Sequence, residues 1–559
     1  MERLAHPRSE GIGKTNDDVC THLESLLDAL EAVLHGGNKR RQTVATLLRL
    51  NPEEDHFLKR QTAIKEAQAE KMPDAIEVLF RRANAGGTPL EGEEMAFSLL
   101  KARWDGAYPL VDKVVQDEQV GYLLPPSGLV LAAARLALIE VPGSDGKRRQ
   151  DVARPSVRDF RRWIGEPGAE ANQDGSFLAA MKELLQPVAD GEDSPAHFHA
   201  ALARFCGLVL YRDADRDCGP HDRGSPRELL LSVNPLMLHP VLYWLNQRRK
   251  NDSVALEKSR LPLLRYLVFS LLGLLDAPSA SLYAVEVLRG EYAVFPDRLI
   301  YQRWCEPGKD RNGRDRVVAL TLPTPEQLAA PFAMPVDGLL RDWSELFGGN
   351  DESNPHREFR RRFWAEGPYW RHRALLLWFQ RQYLPQWFKG YNPMREGSAD
   401  KPYDEDHILA TAHLIKQGAT PSTPDLDEAR QRDFNNRRGL YLNSLGNFRI
   451  WPLWANRADG KNCPDSKLRL IVDSSDSTPD EHRAALELKG DDTFLIASCI
   501  DPIDRQFWID ASDTPFEWPA ERRKAWQTAV EHRMIWLYQT LYNTLGYSEW
   551  KVAIGQEEL

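Results

Sequence analysis

The segment from Tyr403 to Lys461 holds residues whose types and order could hydrolyse a phosphodiester. Asp404, Asp406 and His407 stand together in YDEDHIL, and Asn447 and Asn456 follow in NSLGNFRIWPLWANRADGK. Such a reaction needs an activated water and neutralisation of the charge that builds on the phosphate. A histidine with an ordinary pKa of about 6.5 can accept the water's proton near neutral pH. Asp406 is its neighbour, and on an extended strand the two side chains point to opposite sides. One residue could then hold a hard cation while the next holds the water. Oxygen donors without cysteine suit Mg²⁺ or Mn²⁺ better than zinc. The plain alternative is a surface Asp-His pair and two turn asparagines.

The order of these residues resembles the D-H-I … G-N-L … N form of the HNH nucleases, which are built as two strands and a helix around one metal ion. Asn456 lies nine residues after Asn447, a separation common in that form. The resemblance implies that His407 is the general base and that Asp406 and Asn456 hold Mg²⁺ or Mn²⁺. It implies that Asn447 braces the loop and orients the His407 ring, with Asp404 in a supporting place behind Asp406. Two features depart from the pattern. Ala410 stands where the family usually has proline, and 39 residues separate His407 from Asn447. Neither removes a catalytic atom.

The flanks suit a polyanion. Asn354 to Arg373 carries six arginines, Arg360, Arg361 and Arg362 among them, against Glu358 and Glu366, a net of +4, with Phe363, Trp364, Tyr369 and Trp370 interleaved. Arg430 to Lys461 nets +5 and includes Arg437, Arg438, Arg449, Arg457 and Lys461. Basic stretches with aromatics can follow a nucleic-acid backbone and stack on bases. A solvated helix face with core aromatics would give the first stretch the same composition. The whole chain is acidic, with a net charge of −10 over 559 residues. That excludes a uniformly basic coat protein, but nucleic-acid binding needs only a local basic surface.

Other signals are weaker. Gly11-Ile12-Gly13-Lys14-Thr15 lacks the first glycine of a phosphate loop, because Arg8 occupies its place. Asp213, Asp215 and Asp217 lack the glycine and glutamate of a calcium loop. His197 and His199 fall on opposite sides of a helix. Six cysteines without a C-x-x-C pair exclude a disulfide scaffold or a cysteine zinc site and predict reduced thiols in a cytoplasm. The longest apolar run, Leu261 to Leu275, is short of the roughly 20 residues of a membrane span and contains Arg265, so it predicts a buried helix.

The elements that must position these residues are mostly helical. Leu23, Leu26, Leu27, Leu30 and Val33 fall at helical spacing. Gly86-Gly87 predicts a turn, with Thr88, Pro89 and Glu91 opening the next helix and Met95, Leu99 and Leu100 facing a core. Leu229 to Leu245 predicts two short helices, broken at Pro235 and Pro240. LRLIVD (468–473) and TFLIAS (493–498) have the texture of strands. A last helix is predicted from about Pro519 to Leu545, with Trp526, Val530, Met534, Leu537, Leu541 and Leu545 as its buried stripe and Gly546 ending it.

The resemblance reaches further. FRRANAGGTPLEGEEM (80–95) resembles the end of the ParB/sulfiredoxin-like domain of GmrSD-type restriction enzymes, and LLLWFQRQYLPQWFKGYNP (375–393) resembles their connector. These enzymes act on modified foreign DNA in bacterial defence. Their D-G-Q-Q-R nucleotide motif has no counterpart here, so the N-terminal domain is expected to be truncated, its core supplied by a separate subunit or lost from the gene model. The resulting expectation is a mainly α protein with a C-terminal α+β HNH domain. Its parts would be a remnant ParB-like domain over 1–115, a helical middle over 116–395 and the nuclease over 396–559. The expected activity is metal-dependent cleavage of foreign or modified duplex DNA, in the cytoplasm and without a membrane partner. The alternative is a catalytically inactive DNA-binding or regulatory subunit of a defence complex.

Overall fold

A computed structural model describes most of residues 97–140 and, apart from short internal stretches, 176–186, 197–468 and 491–555. The features expected over the first 96 residues, and Lys461 and residues 469–473, lie outside the described residues. The chain divides into two compact units. The first comprises Met1–Val114, Pro126–Arg149 and Arg154–Val188; the second comprises Val115–Pro125, Gln150–Ala153 and Ala189–Leu559. Among the described residues the protein is mainly helical, with one two-stranded antiparallel sheet. No described helix is long and apolar enough to cross a membrane.

In the first unit the helix Pro126–Glu140 is apolar nearly all round and packs on Ser176–Leu185, and Val130, Ala134, Phe177 and Met181 of the two helices are buried. A helix with no polar face is stable only when buried.

The second unit holds the candidate site. Leu229–Leu245 forms two helices, as expected, but the break lies at Val233–Asn234. Pro235 takes the first position of the second helix, where its missing N–H costs nothing, and Pro240 sits within that helix rather than ending it. The apolar run after Leu261 lies largely in the helix Arg260–Leu271. Its Arg265 is 2 % exposed and meets the carboxylates of Asp297 and Glu549. Phe269 of the same helix packs with Tyr301, Trp304 and Trp550, edge-on and stacked, with ring centres 4.6–5.5 Å apart in the closest pairs.

The long helix Ala520–Leu545 organises the rest. Its predicted stripe is buried throughout, and Gly546 closes it in the left-handed conformation, φ 61°. Tyr538 packs edge-on against Phe359 and Phe363 of the helix Arg357–Trp364. Trp526 meets Tyr441 of the helix Glu428–Leu442. TFLIAS is not a strand. It lies within the helix Asp491–Ala497 and the turn after it, with Leu495 and Ala497 buried, so tertiary packing overrides the β-branched composition.

Arg533 of the long helix, 1 % exposed, ties two loops together. It donates to the carbonyls of Leu445, Gly446, Ser498 and Cys499 at 2.8–3.0 Å. Gly446 is needed at this crossing, because a Cβ there would stand 2.8 Å from both Val530 Cγ1 and its carbonyl oxygen. Removing the guanidinium would leave buried acceptors without a donor, at about 1–3 kcal/mol each. Arg533→Met is expected to destabilise the second unit by at least about 3 kcal/mol, read as a lower thermal unfolding midpoint.

Candidate functional site

Strand β1 (Tyr403–His407) pairs antiparallel with β2 (Phe448–Pro452), so that Asp404 faces Trp451, Asp406 faces Arg449 and His407 faces Phe448. The connection between them carries the helix Glu428–Leu442, whose N-terminus is capped by the Asp427 carboxylate. The helix Leu453–Asp459 follows β2 directly and bears Asn456. Two strands and a helix therefore bring the five sequence-selected residues into one region. Tyr403 anchors the first strand by stacking on Phe388, with ring centres 5.2 Å apart.

Asn447 is fully buried and acts as a brace. Its side-chain oxygen accepts from the Leu409 backbone N–H, and its amide donates to the carbonyls of Leu409 and Leu442. Its own carbonyl accepts from Ile408. The chain leaving β1 is thereby fastened to the approach to β2 immediately beyond His407. At Ala410 the backbone has φ −62° and ψ 143°. That is the conformation a proline would impose, so the missing proline is not needed to set the path.

His407 packs on Phe448, with ring centres 4.0 Å apart, and its Nε2 is buried with no hydrogen-bond partner among the described residues. Burial lowers its pKa from 6.5 to about 4; neighbouring Asp406 works against that, and the charges of Arg373 and Lys467 add to it. The imidazole is therefore neutral at pH 7 and keeps its capacity to accept a proton. Asn456 donates to Asp404 Oδ2 at 3.0 Å. A cavity of about 270 Å³ opens here, lined by Glu405, Asp406, His407, Thr411, Asn456 and Lys467 among others.

Asp406 differs from its expected role. It is 3 % exposed, and both carboxylate oxygens are taken, one by Lys467 Nζ at 2.6 Å and the other by Arg449 Nε at 2.8 Å. Lys467 also donates to the His407 carbonyl, and Arg449 to Ser498 Oγ. An ammonium thus stands against the carboxylate where a divalent cation was expected. Asp404 is engaged by Asn456, and Glu405 faces Arg373 at 3.6 Å. Among the described residues no group of three acidic, histidine or cysteine side chains is placed to hold a metal ion. In this arrangement the donor set does not fit Mg²⁺ or Mn²⁺.

The predicted nucleic-acid contacts divide sharply. Arg449 is 0 % exposed and Arg360 8 %, so neither can reach a phosphate; Arg360 instead donates to the Gln327 carbonyl. Arg437 donates to the Leu340 carbonyl and lies near Glu345, and Arg438 donates to the Leu414 carbonyl. These four have structural partners. Arg361 and Arg362 are half-buried and pair with Glu358 on their own helix. Arg457 is exposed on the helix that carries Asn456. Lys467 and Phe448 were not singled out from sequence. Lys467 sits in an undistinguished PDSKL, and Phe448 reads as an ordinary strand residue.

A larger cavity of about 830 Å³ shares no lining residue with this one. It lies between 329–341 and the first half of the long helix. Comparison of the chain with protein-family models, curated proteins and solved structures gave no match.

The buried triad makes a stability prediction. Asp406→Asn removes the countercharge of two buried cations and is expected to cost about 3–5 kcal/mol. The double variant Asp406→Asn with Lys467→Met leaves one fewer stranded charge. A thermal-unfolding double-mutant cycle should therefore show the second change recovering part of the loss; strictly additive losses would contradict the geometry.

Proposed function

We propose that the region around β1, β2 and the helix Leu453–Asp459 is an HNH-type site for hydrolysing DNA phosphodiesters. The observation that carries this reading is the placement of His407 and Asn456 at one cavity by two paired strands and the helix that follows them. In the reaction, neutral His407 takes a proton from water. The water oxygen bonds to phosphorus as the ester bond to the leaving oxygen breaks, and that oxygen takes a proton from solvent. Asn447 holds the chain beside His407 so that the ring keeps its place against Phe448. No step is assigned to Mg²⁺ or Mn²⁺, because the expected ligand Asp406 is held by Lys467 and Arg449. Action on modified or foreign DNA, and a separate subunit as partner, extend the proposal on the sequence resemblance alone.

One observation favours a second reading, a DNA-binding module without turnover. The same locked Asp406 would leave a retired nuclease with its frame intact. Nicking of supercoiled plasmid and of modified and unmodified phage DNA separates the two, measured with EDTA, with Mg²⁺ and with Mn²⁺. The hydrolase reading expects wild type to nick in at least one condition and His407→Ala to fall at least about 100-fold, the scale of general-base catalysis. No nicking by wild type in any condition would support the second reading, and nicking that His407→Ala leaves unchanged would contradict His407 as the base.

A further inference from the structure

The helix Arg357–Trp364 and the 3₁₀ helix Gly367–Ala374 form a ladder of cations and rings. Arg357 and Arg361 lie over the Trp343 ring at 4.7 and 5.3 Å, and Arg361 and Arg362 lie over Tyr369 at 5.6 and 5.2 Å. Tyr369 also donates its hydroxyl to Glu358. Beyond the ladder, Trp370 is 50 % exposed and Arg371 is exposed beside it, its guanidinium 5.6 Å from the indole. An indole turned to solvent has lost the burial that normally stabilises tryptophan in a fold. Among the described residues of these two helices, Arg357, Arg361, Arg362 and Arg371 accompany one carboxylate, Glu358, which pairs with Arg361 and Arg362.

The patch is continuous with the candidate site. In a 3₁₀ helix, residues three apart eclipse one another about 6 Å along the axis. Trp370 therefore shares a face with Arg373. The Arg373 guanidinium lies 3.8 Å from the centre of the Phe448 ring, the same ring on which His407 packs. A short path of planar and cationic groups thus leads from Trp370 to the imidazole.

From this we infer that the Trp370–Arg371 face binds a single-stranded DNA segment flanking the scissile phosphate, with an unpaired base stacked on Trp370 and the backbone held by Arg371, Arg361 and Arg362. A base inside a duplex keeps both faces against its neighbours, so an exposed indole can stack only on one that is unpaired or extruded. The guanidinium groups supply the sequence-independent phosphate contacts. This inference rests on the reading of the His407 region as a DNA site and adds to it the state of the strand that is bound.

The test is fluorescence anisotropy of the full chain with a labelled 12-nucleotide oligo-dT and with a blunt duplex of the same length, both in a His407→Ala background so that no cutting intervenes. Tighter binding of the single strand is expected, weakening steeply with salt. Trp370→Ala should weaken that binding about ten-fold, Trp370→Phe should retain most of it, and Arg371→Glu should weaken it and flatten its salt dependence. Trp370→Ala binding that equals the parent, or an equal loss on the duplex, would overturn the inference. So would a poly-glutamate peptide binding as tightly as the oligonucleotide, which would make the face a dock for an acidic protein. Single-strand binding that depends on Trp370 would stand even if no DNA is cut, and cutting that ignores Trp370→Ala would leave only the hydrolase reading.

Discussion

A carboxylate buried between two buried cations governs the architecture around the candidate site. Burying the Asp406 carboxylate is costly without partners, and so is burying Arg449 and Lys467 without a countercharge. Each member also holds a different element. Arg449 reaches Ser498 at the end of the helix Asp491–Ala497 and lies over Trp451 on its own strand. Lys467 reaches back to the His407 carbonyl. Arg533 then fastens the same 498–499 turn, and the turn before Asn447, to the long helix. Two strands of five residues would be marginal by themselves. The ion triad and the arginine clamp hold this pair in register.

That arrangement has a chemical consequence. His407 is kept in low dielectric on Phe448, where burial and the charges of Arg373 and Lys467 outweigh the opposing charge of Asp406. The balance favours the neutral ring, the form a general base requires. The triad also removes Asp406 from service as an oxygen donor. Burial of the ring favours the proposed base while the triad occupies the expected metal ligand, so the same region is compatible with hydrolysis and with silent binding.

Much of this could be read from residue types and spacing, and the failures share a cause. The order of Asp406-His407, Asn447 and Asn456 carried the resemblance from which two strands and a helix were expected, and the structure has a two-stranded antiparallel sheet followed by a helix there. The long helix was legible because a six-residue apolar stripe ended by glycine has few other solutions. Arginines were not legible as to side. Arg360, Arg449 and Arg457 look alike in composition, yet the first two satisfy buried carbonyl or carboxylate groups from distant segments and the third faces solvent. TFLIAS and the partnership of Asp406 with Lys467, 61 residues away, failed for the same reason. Both depend on contacts that no local pattern contains.

The central claim is that a buried, neutral His407 is the base of a hydrolytic site. The most direct measurement is the pH dependence of single-turnover DNA cleavage from pH 3.5 to 8. A base with its pKa lowered to about 4 is already deprotonated through most of that range. The predicted profile is flat from about pH 5 to 8, with an acid limb near 4 that disappears, along with the activity, in His407→Ala. An acid limb near 6.5, or a profile that His407→Ala leaves unchanged, would contradict the account.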